Sequence, residues 1–107
     1  MLRNFSIKYQ VYVVLKGAYT RIATPSGNIY FNSTGNPGLA KGGSGDILTG
    51  IITSLLAQGY SPLQSSLMGV YLHGLSADFA LQNISEESMM ASDIIEHISS
   101  AFQSLKN

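Results

Sequence analysis

The sequence predicts an α/β chain in which one strand, a β-hairpin and a glycine-rich loop precede three helices. Three observations carry this. A β-branched apolar run occupies residues 11–15 (VYVVL). Six of the eleven glycines crowd into residues 35–50. Apolar residues recur at helical spacing from Ile47 onward. With 107 residues the chain has room for one domain.

Residues 1–9 are expected to end a preceding helix. Residues 11–15 have the length and branching of a strand buried on both faces, which calls for parallel neighbours that the chain does not obviously supply. Lys16-Gly17 closes this run, and residues 20–24 (TRIAT) read as the next strand. Pro25-Ser26-Gly27-Asn28 has turn chemistry: proline presets the first corner, and glycine or asparagine accepts positive φ. Residues 29–32 (IYFN) return as the second arm of the hairpin.

Beyond the loop, Ile47, Leu48, Ile51, Ile52, Leu55 and Leu56 define one apolar helix face. Gly59 stands where a C-terminal cap belongs. Ser61-Pro62 reads as N-cap and first-turn proline of a second helix. That helix carries Leu63, Leu67, Val70, Tyr71, Leu75 and Phe79. After a break over residues 83–90, Ser92 is the expected cap of a third helix, with Asp93 in its first turn and Ile94, Ile95, Ile98, Phe102 and Leu105 inward.

Composition excludes several functions. Six basic and six acidic residues give no net charge, against the basic excess of a nucleic-acid binder. No cysteine is present, so disulfides, thiol catalysis and cysteine-ligated zinc are ruled out. Two histidines, His73 and His97, are too few for an ordinary histidine metal site. No apolar run is long enough to span a membrane, and the first residues lack the core of a signal peptide, so a cytoplasmic location is expected. Charge is nevertheless uneven. Residues 1–45 hold Arg3, Lys8, Lys16, Arg21 and Lys41 and no acid, whereas all six acids follow from Asp46. Such a split fits either chance or an anion site fed by the basic part.

The glycine-rich loop running into a helix is the strongest chemical signal. A helix N-terminus exposes N–H groups without internal partners, and the macrodipole adds positive character there. Gly42, Gly43 and Gly45 remove side chains, so a phosphate could approach those groups. A valine at Gly45 is expected to crowd that phosphate and to oppose a positive φ. No Lys-Ser/Thr pair follows the glycines, so this is not a P-loop, and no dinucleotide fingerprint is present. Asp46 fits two roles: a helix-dipole partner, or a general base beside a held phosphoryl group. Lys16 fits either a solvated strand end or a phosphate contact. His73 reads as a satisfied core or interface histidine, and Asp78 with Ser76 as a solvated face. Met68, Met89 and Met90 read as packing, and Gly69 and Gly74 as sites of close helix approach.

Several stretches together carry a resemblance: LKGAYT at residues 15–20, TGNPGLAKGGSGD at 34–46, LTG at 48–50, YLHG at 71–74 and ASDI at 91–94. They resemble the C-terminal part of the ADP-dependent NAD(P)H-hydrate dehydratases, metabolite-repair enzymes of the ribokinase-like superfamily. The resemblance implies that residues 1–107 are a C-terminal segment of a three-layer α/β/α domain whose N-terminal portion is absent. It implies that Lys16, Gly17, Ala18, Tyr19 and Thr20 contact the nucleotide. Gly42, Gly43, Ser44 and Gly45 would form the anion hole, and Asp46 would meet the hydrated cofactor and act as base. The implied reaction uses ADP or ATP, with Mg2+, to remove water from (6S)-NAD(P)H hydrate, releasing AMP and phosphate when ADP is used. Implied partners are these small molecules and a second copy of the chain in a homo-oligomer, with no nucleic acid and no membrane. Two alternatives stay open: a small-molecule kinase of the same superfamily, and a nucleotide-binding module without catalysis. Thiamine-precursor kinases resemble the loop but usually carry Cys where Asp46 stands.

Overall fold

The computed structural model describes residues 1–17, 19–40 and 42–106. The elements are α1 (Leu2–Tyr9), β1 (Val13–Leu15), β2 (Arg21–Ala23), β3 (Ile29–Phe31), α2 (Ser44–Ala57), α3 (Pro62–Ala80) and α4 (Ala91–Ser104), with a short 3-10 turn at Pro37–Leu39 inside the glycine-rich loop. Among the described residues the strands form one antiparallel sheet in the order β1-β2-β3. Val14 lies opposite Ile22, and Ile22 opposite Tyr30.

The hairpin follows from its turn. Gly27 adopts φ of 93°, and Thr24 and Asn28 exchange backbone and side-chain hydrogen bonds across it. A side chain at Gly27 would lie 2.9 Å from both Arg3 and Ile7 of α1. That close approach seats α1 against the hairpin. On β2, Ile22 and Ala23 are both buried, and alternation sends them to opposite faces. Ile22 meets Leu48 of α2 and Val70 of α3, while α1 packs on β2. The result is a helix, sheet, helix layering.

The expectation of a doubly buried first strand is corrected. Val11 and Tyr12 lie outside β1 and are exposed, Val13 and Val14 are half-buried, and Leu15 is exposed. The apolar run reports a tendency to be covered, whereas among the described residues β1 is paired on one side only, by β2.

Helix boundaries follow their caps. Gly59, at φ of 97°, ends α2 in a Schellman motif: its N–H donates to Leu56 O and that of Tyr60 to Leu55 O. Ser61 and Gln64 form a reciprocal capping box with Pro62 at the first position of α3. The cap of the last helix falls two residues earlier than expected. Met90 is the N-cap, and Asp93 reaches back to accept from its N–H at 2.8 Å. Ser92 lies within the first turn because the Asp93 carboxylate, not the serine hydroxyl, serves the exposed donor.

The buried face of α3 differs most from expectation. Ser65, Ser66, Gly69, Val70, Leu72, His73, Gly74, Ser76, Ala77 and Ala80 are buried, whereas Tyr71 is exposed. This helix packs against α2, α4 and the 3-10 turn at once, so small residues admit neighbours on several sides. A Cβ at Gly69 would stand 2.6 Å from Ile52. Met89 is in the core, but Met90 is 60% exposed. Leu56, Ile95 and Leu105 are also exposed, off the faces the spacing assigned them.

Candidate functional site

Three chain segments converge on the start of α2. The first is the end of β1, where Lys16 projects. The second is the glycine-rich loop. The third is the middle of α3, whose His73 meets Ser44, while Gly74 and Asp78 meet the start of the loop at residues 34–36.

Gly43 is the N-cap of α2 at φ of 90°, a left-handed conformation that favours glycine. Ser44, Gly45 and Asp46 then occupy the first turn, where N–H groups have no intrahelical acceptor. Gly45 is helical, so the expected positive φ belongs to Gly43 instead. Helix α2 begins at Ser44, inside the glycine-rich run rather than after it. A Cβ on Gly45 would lie 3.7 Å from Lys16 Nζ. The ammonium of an exposed residue at the end of β1 therefore lies beside the positive end of α2. Two sources of positive potential share one small volume, which suits an anion.

Lys16, Gly17, Tyr19 and Thr20 line a cavity of about 690 Å³ beside this point, walled opposite by the loop around Thr34 and Asn36 and by His73 and Gly74. That volume is within the range of small-molecule sites. Gly42, Gly43, Ser44, Gly45 and Asp46 are not among its lining residues, and Lys16 links them to it. Gly42 and Gly43 are exposed, with open space where a Cβ of Gly42 would be. Asp46 is exposed in the third position of α2. Ala18 and Lys41 lie outside the described residues.

Ser44 and His73 form the buried polar pair of the site. His73 Nε2 lies 2.9 Å from Ser44 O and 3.2 Å from Ser44 Oγ. A carbonyl oxygen only accepts, so Nε2 carries the proton and donates. Ser44 is fully buried and His73 is 3% exposed, as a satisfied core histidine should be. Burial first, and the charge of Lys16 second, push the ring from 6.5 down to about 4, against the opposing hydrogen bond to Ser44. The unfolded chain then binds more protons between these values, so this contribution is full above about pH 6.5 and falls as pH drops toward 4. The loss reaches on the order of 3 kcal/mol. Thermal melts between pH 7 and pH 4 should show it, and His73→Gln should flatten the slope.

Asp78 overturns its sequence reading. Its carboxylate accepts from Gly35 N–H and from Asn36 Nδ2, both at 2.9 Å, and Ser76 is fully buried. Asp78 thus fixes the first residues of the glycine loop. Gly74 lets that loop approach: a Cβ there would collide with Thr34 Oγ1 and stand 2.7 Å from the Thr34 carbonyl carbon. Asn32 and Thr34 were also missed as cavity residues. Their only signal in sequence is polar character between hairpin and glycines, which any loop shares.

Comparison with known proteins agrees with this geometry. A family profile described as NAD(P)H-hydrate dehydratase (Carb_kinase) matches residues 1–100. The bifunctional NAD(P)H-hydrate repair enzyme Nnr of Moorella thermoacetica is 42% identical over 103 residues, which are 96% of this chain and 19% of that protein. The ADP-dependent (S)-NAD(P)H-hydrate dehydratase of Bacillus subtilis is 38% identical over 104 residues, 94% of this chain and 38% of that one. The chain thus spans between a fifth and two-fifths of the length of these relatives. A crystal structure of the ADP/ATP-dependent NAD(P)H-hydrate dehydratase from Bacillus subtilis, co-crystallised with ATP/Mg2+, superposes with a TM-score of 0.93 at 34% identity, covering 98% of this chain and 38% of the other. A ribokinase-like superfamily protein from Enterococcus faecalis gives 0.72 at 30% identity, covering 94% and 35%. The glycine loop, the capped α2 and the sheet beside them are accordingly one part of a ribokinase-like architecture, and the chain belongs to the NAD(P)H-hydrate dehydratase family.

Proposed function

We propose that this chain supplies the phosphate site and the general base for ADP- or ATP-dependent dehydration of NAD(P)H hydrate, as the C-terminal part of a ribokinase-like domain. The observation that carries the reading is the approach of Lys16 Nζ to Gly45 at the start of α2. Lys16, Gly17, Tyr19 and Thr20 hold the nucleotide along the cavity, and the backbone of residues 42–45 receives its phosphates. Ser44 contributes through its N–H, since its side chain is fully buried beside His73.

Asp46 accepts the proton of the hydrate's hydroxyl as that oxygen attacks the terminal phosphorus. The bond from phosphorus to the nucleotide breaks, leaving AMP when ADP is used. Phosphate then departs with that oxygen and the C–O bonding pair, and the neighbouring ring carbon loses a proton to solvent, its C–H pair forming the restored C=C bond. Among the described residues no three His, Asp or Glu side chains come together, so they do not fit a protein-held metal cage. Magnesium would be carried by the nucleotide's phosphates and would offset their charge. A cytoplasmic location suits a reaction on a nicotinamide cofactor.

Lys16→Ala tests the site. It should weaken ADP by about 1–3 kcal/mol, the range for a charge-assisted contact, and leave adenosine little changed. Isothermal titration of both ligands measures this, and equal losses would make Lys16 structural. Self-association is the accompanying expectation, since among the described residues the outer edge of β1 has no partner strand and apolar surface at Leu15 and Phe31 is exposed. A monodisperse monomer in light scattering would remove that part.

A further inference from the structure

One stretch of α3 ties down both ends of the glycine-rich loop. At the entry, Tyr71 O accepts from Thr34 Oγ1 at 2.8 Å, and Asp78 accepts from Gly35 and Asn36. At the exit, His73 Nε2–H donates to Ser44 O. The exit needs such a tie. The turn that would receive phosphate contains Gly43 in the left-handed region and Gly45 inside the helix. Glycine gives both positions more freedom in the unfolded or frayed chain than any other residue, so local preference alone does not fix the N–H directions. A buried donor reaching across from a neighbouring helix does.

We propose that His73 is a positioning residue for phosphate binding, orienting the first-turn N–H groups of α2 through its hydrogen bond to the Ser44 carbonyl. The inference rests on the nucleotide reading above. His73 forms part of the cavity wall, but its Nε2–H is turned to Ser44 O. It acts through Ser44, whose backbone runs directly into Gly45 and Asp46. The side-chain oxygen of Ser44 lies farther from the ring than the carbonyl, at 3.2 Å against 2.9 Å, and is the lesser partner. Lys16 supplies charge and His73 supplies direction, so the two should fail differently when removed.

The test uses this chain with ADP and adenosine as probes, in isothermal titration, together with amide exchange at Gly45, Asp46 and Ile47. His73→Leu removes the donor at similar bulk. It should weaken ADP roughly five- to tenfold, the worth of one hydrogen bond, leave adenosine unchanged and speed exchange in that turn. His73→Gln, whose amide can donate from nearly the same place, should recover most of the loss. Ser44→Ala keeps the carbonyl and should lose less than His73→Leu. If His73→Leu does not fold, His73→Asn, too short to reach Ser44, takes its place with the same expected loss. Unchanged ADP affinity in a folded variant lacking the donor overturns the proposal, as does an equal loss for ADP and adenosine. Failure of the unsubstituted chain to bind ADP overturns the nucleotide reading itself, and is told apart by the exchange data, which need no ligand.

Discussion

Asp46→Asn should leave ADP bound and nearly abolish turnover. The substitution keeps size and hydrogen bonding but cannot take up the hydroxyl proton, so kcat should fall by roughly 10²–10⁴-fold, the range for loss of a general base. Asp46 stands exposed in the first turn of α2, beside the N–H groups assigned to phosphate. Removing its charge lowers repulsion toward a diphosphate, and ADP affinity should hold or rise. The measurement is a coupled absorbance assay of hydrate repair, in a chimera where this chain replaces the matching part of the Bacillus subtilis dehydratase. Full turnover would take Asp46 out of the mechanism. Loss of ADP binding with the fold intact would recast it as a nucleotide or metal ligand.

Ile22→Ala should be the most damaging change outside the loop. Ile22 is 1% exposed and is the sheet's anchor in the cluster with Leu48 and Val70. Truncating a buried isoleucine costs about 2–5 kcal/mol, depending on how far the surroundings collapse. For a domain of this size each kcal/mol lowers Tm by roughly 4–8 °C. The effect is not confined to stability. Val14, paired with Ile22 across β1 and β2, packs on the same cluster, and β1 ends at the residue before Lys16. Loosening the sheet from α2 should therefore also draw the ammonium from Gly45. Thermal melting and ADP titration on one preparation would show both losses. A variant that melts lower but binds ADP unchanged would mean Lys16 is held by its own loop.

Features written in local chemistry were legible in the sequence. Pro25 and Gly27 marked the hairpin, Ser61-Pro62 the start of α3 and Gly59 the end of α2, since each depends on neighbours within a few residues. The glycine loop and Asp46 were visible for the same reason. What escaped depends on partners far along the chain. Asp78 looked like a surface acid because its partners, Gly35 and Asn36, lie some forty positions earlier. The face of α3 was misassigned because apolar spacing finds one buried stripe, whereas this helix is covered on several sides and spends glycine, serine and alanine on contact. Lys16 needed the tertiary fold to meet Gly45.

The ties from α3 to the two ends of the loop give that helix the role of a ruler. Tyr71, Gly74 and Asp78 fall at intervals of three and four, so they stack along one side over two turns, and His73 flanks that side toward α2. Each added or deleted residue would turn everything beyond it by about 100° around the axis. A single insertion between Tyr71 and Asp78 would carry the carboxylate away from Gly35 while Tyr71 stayed in place. Length in this stretch is consequently as constrained as the identities of His73, Gly74 and Asp78, whereas the turn at residues 85–88, exposed for most of its course, can vary in length without disturbing the phasing.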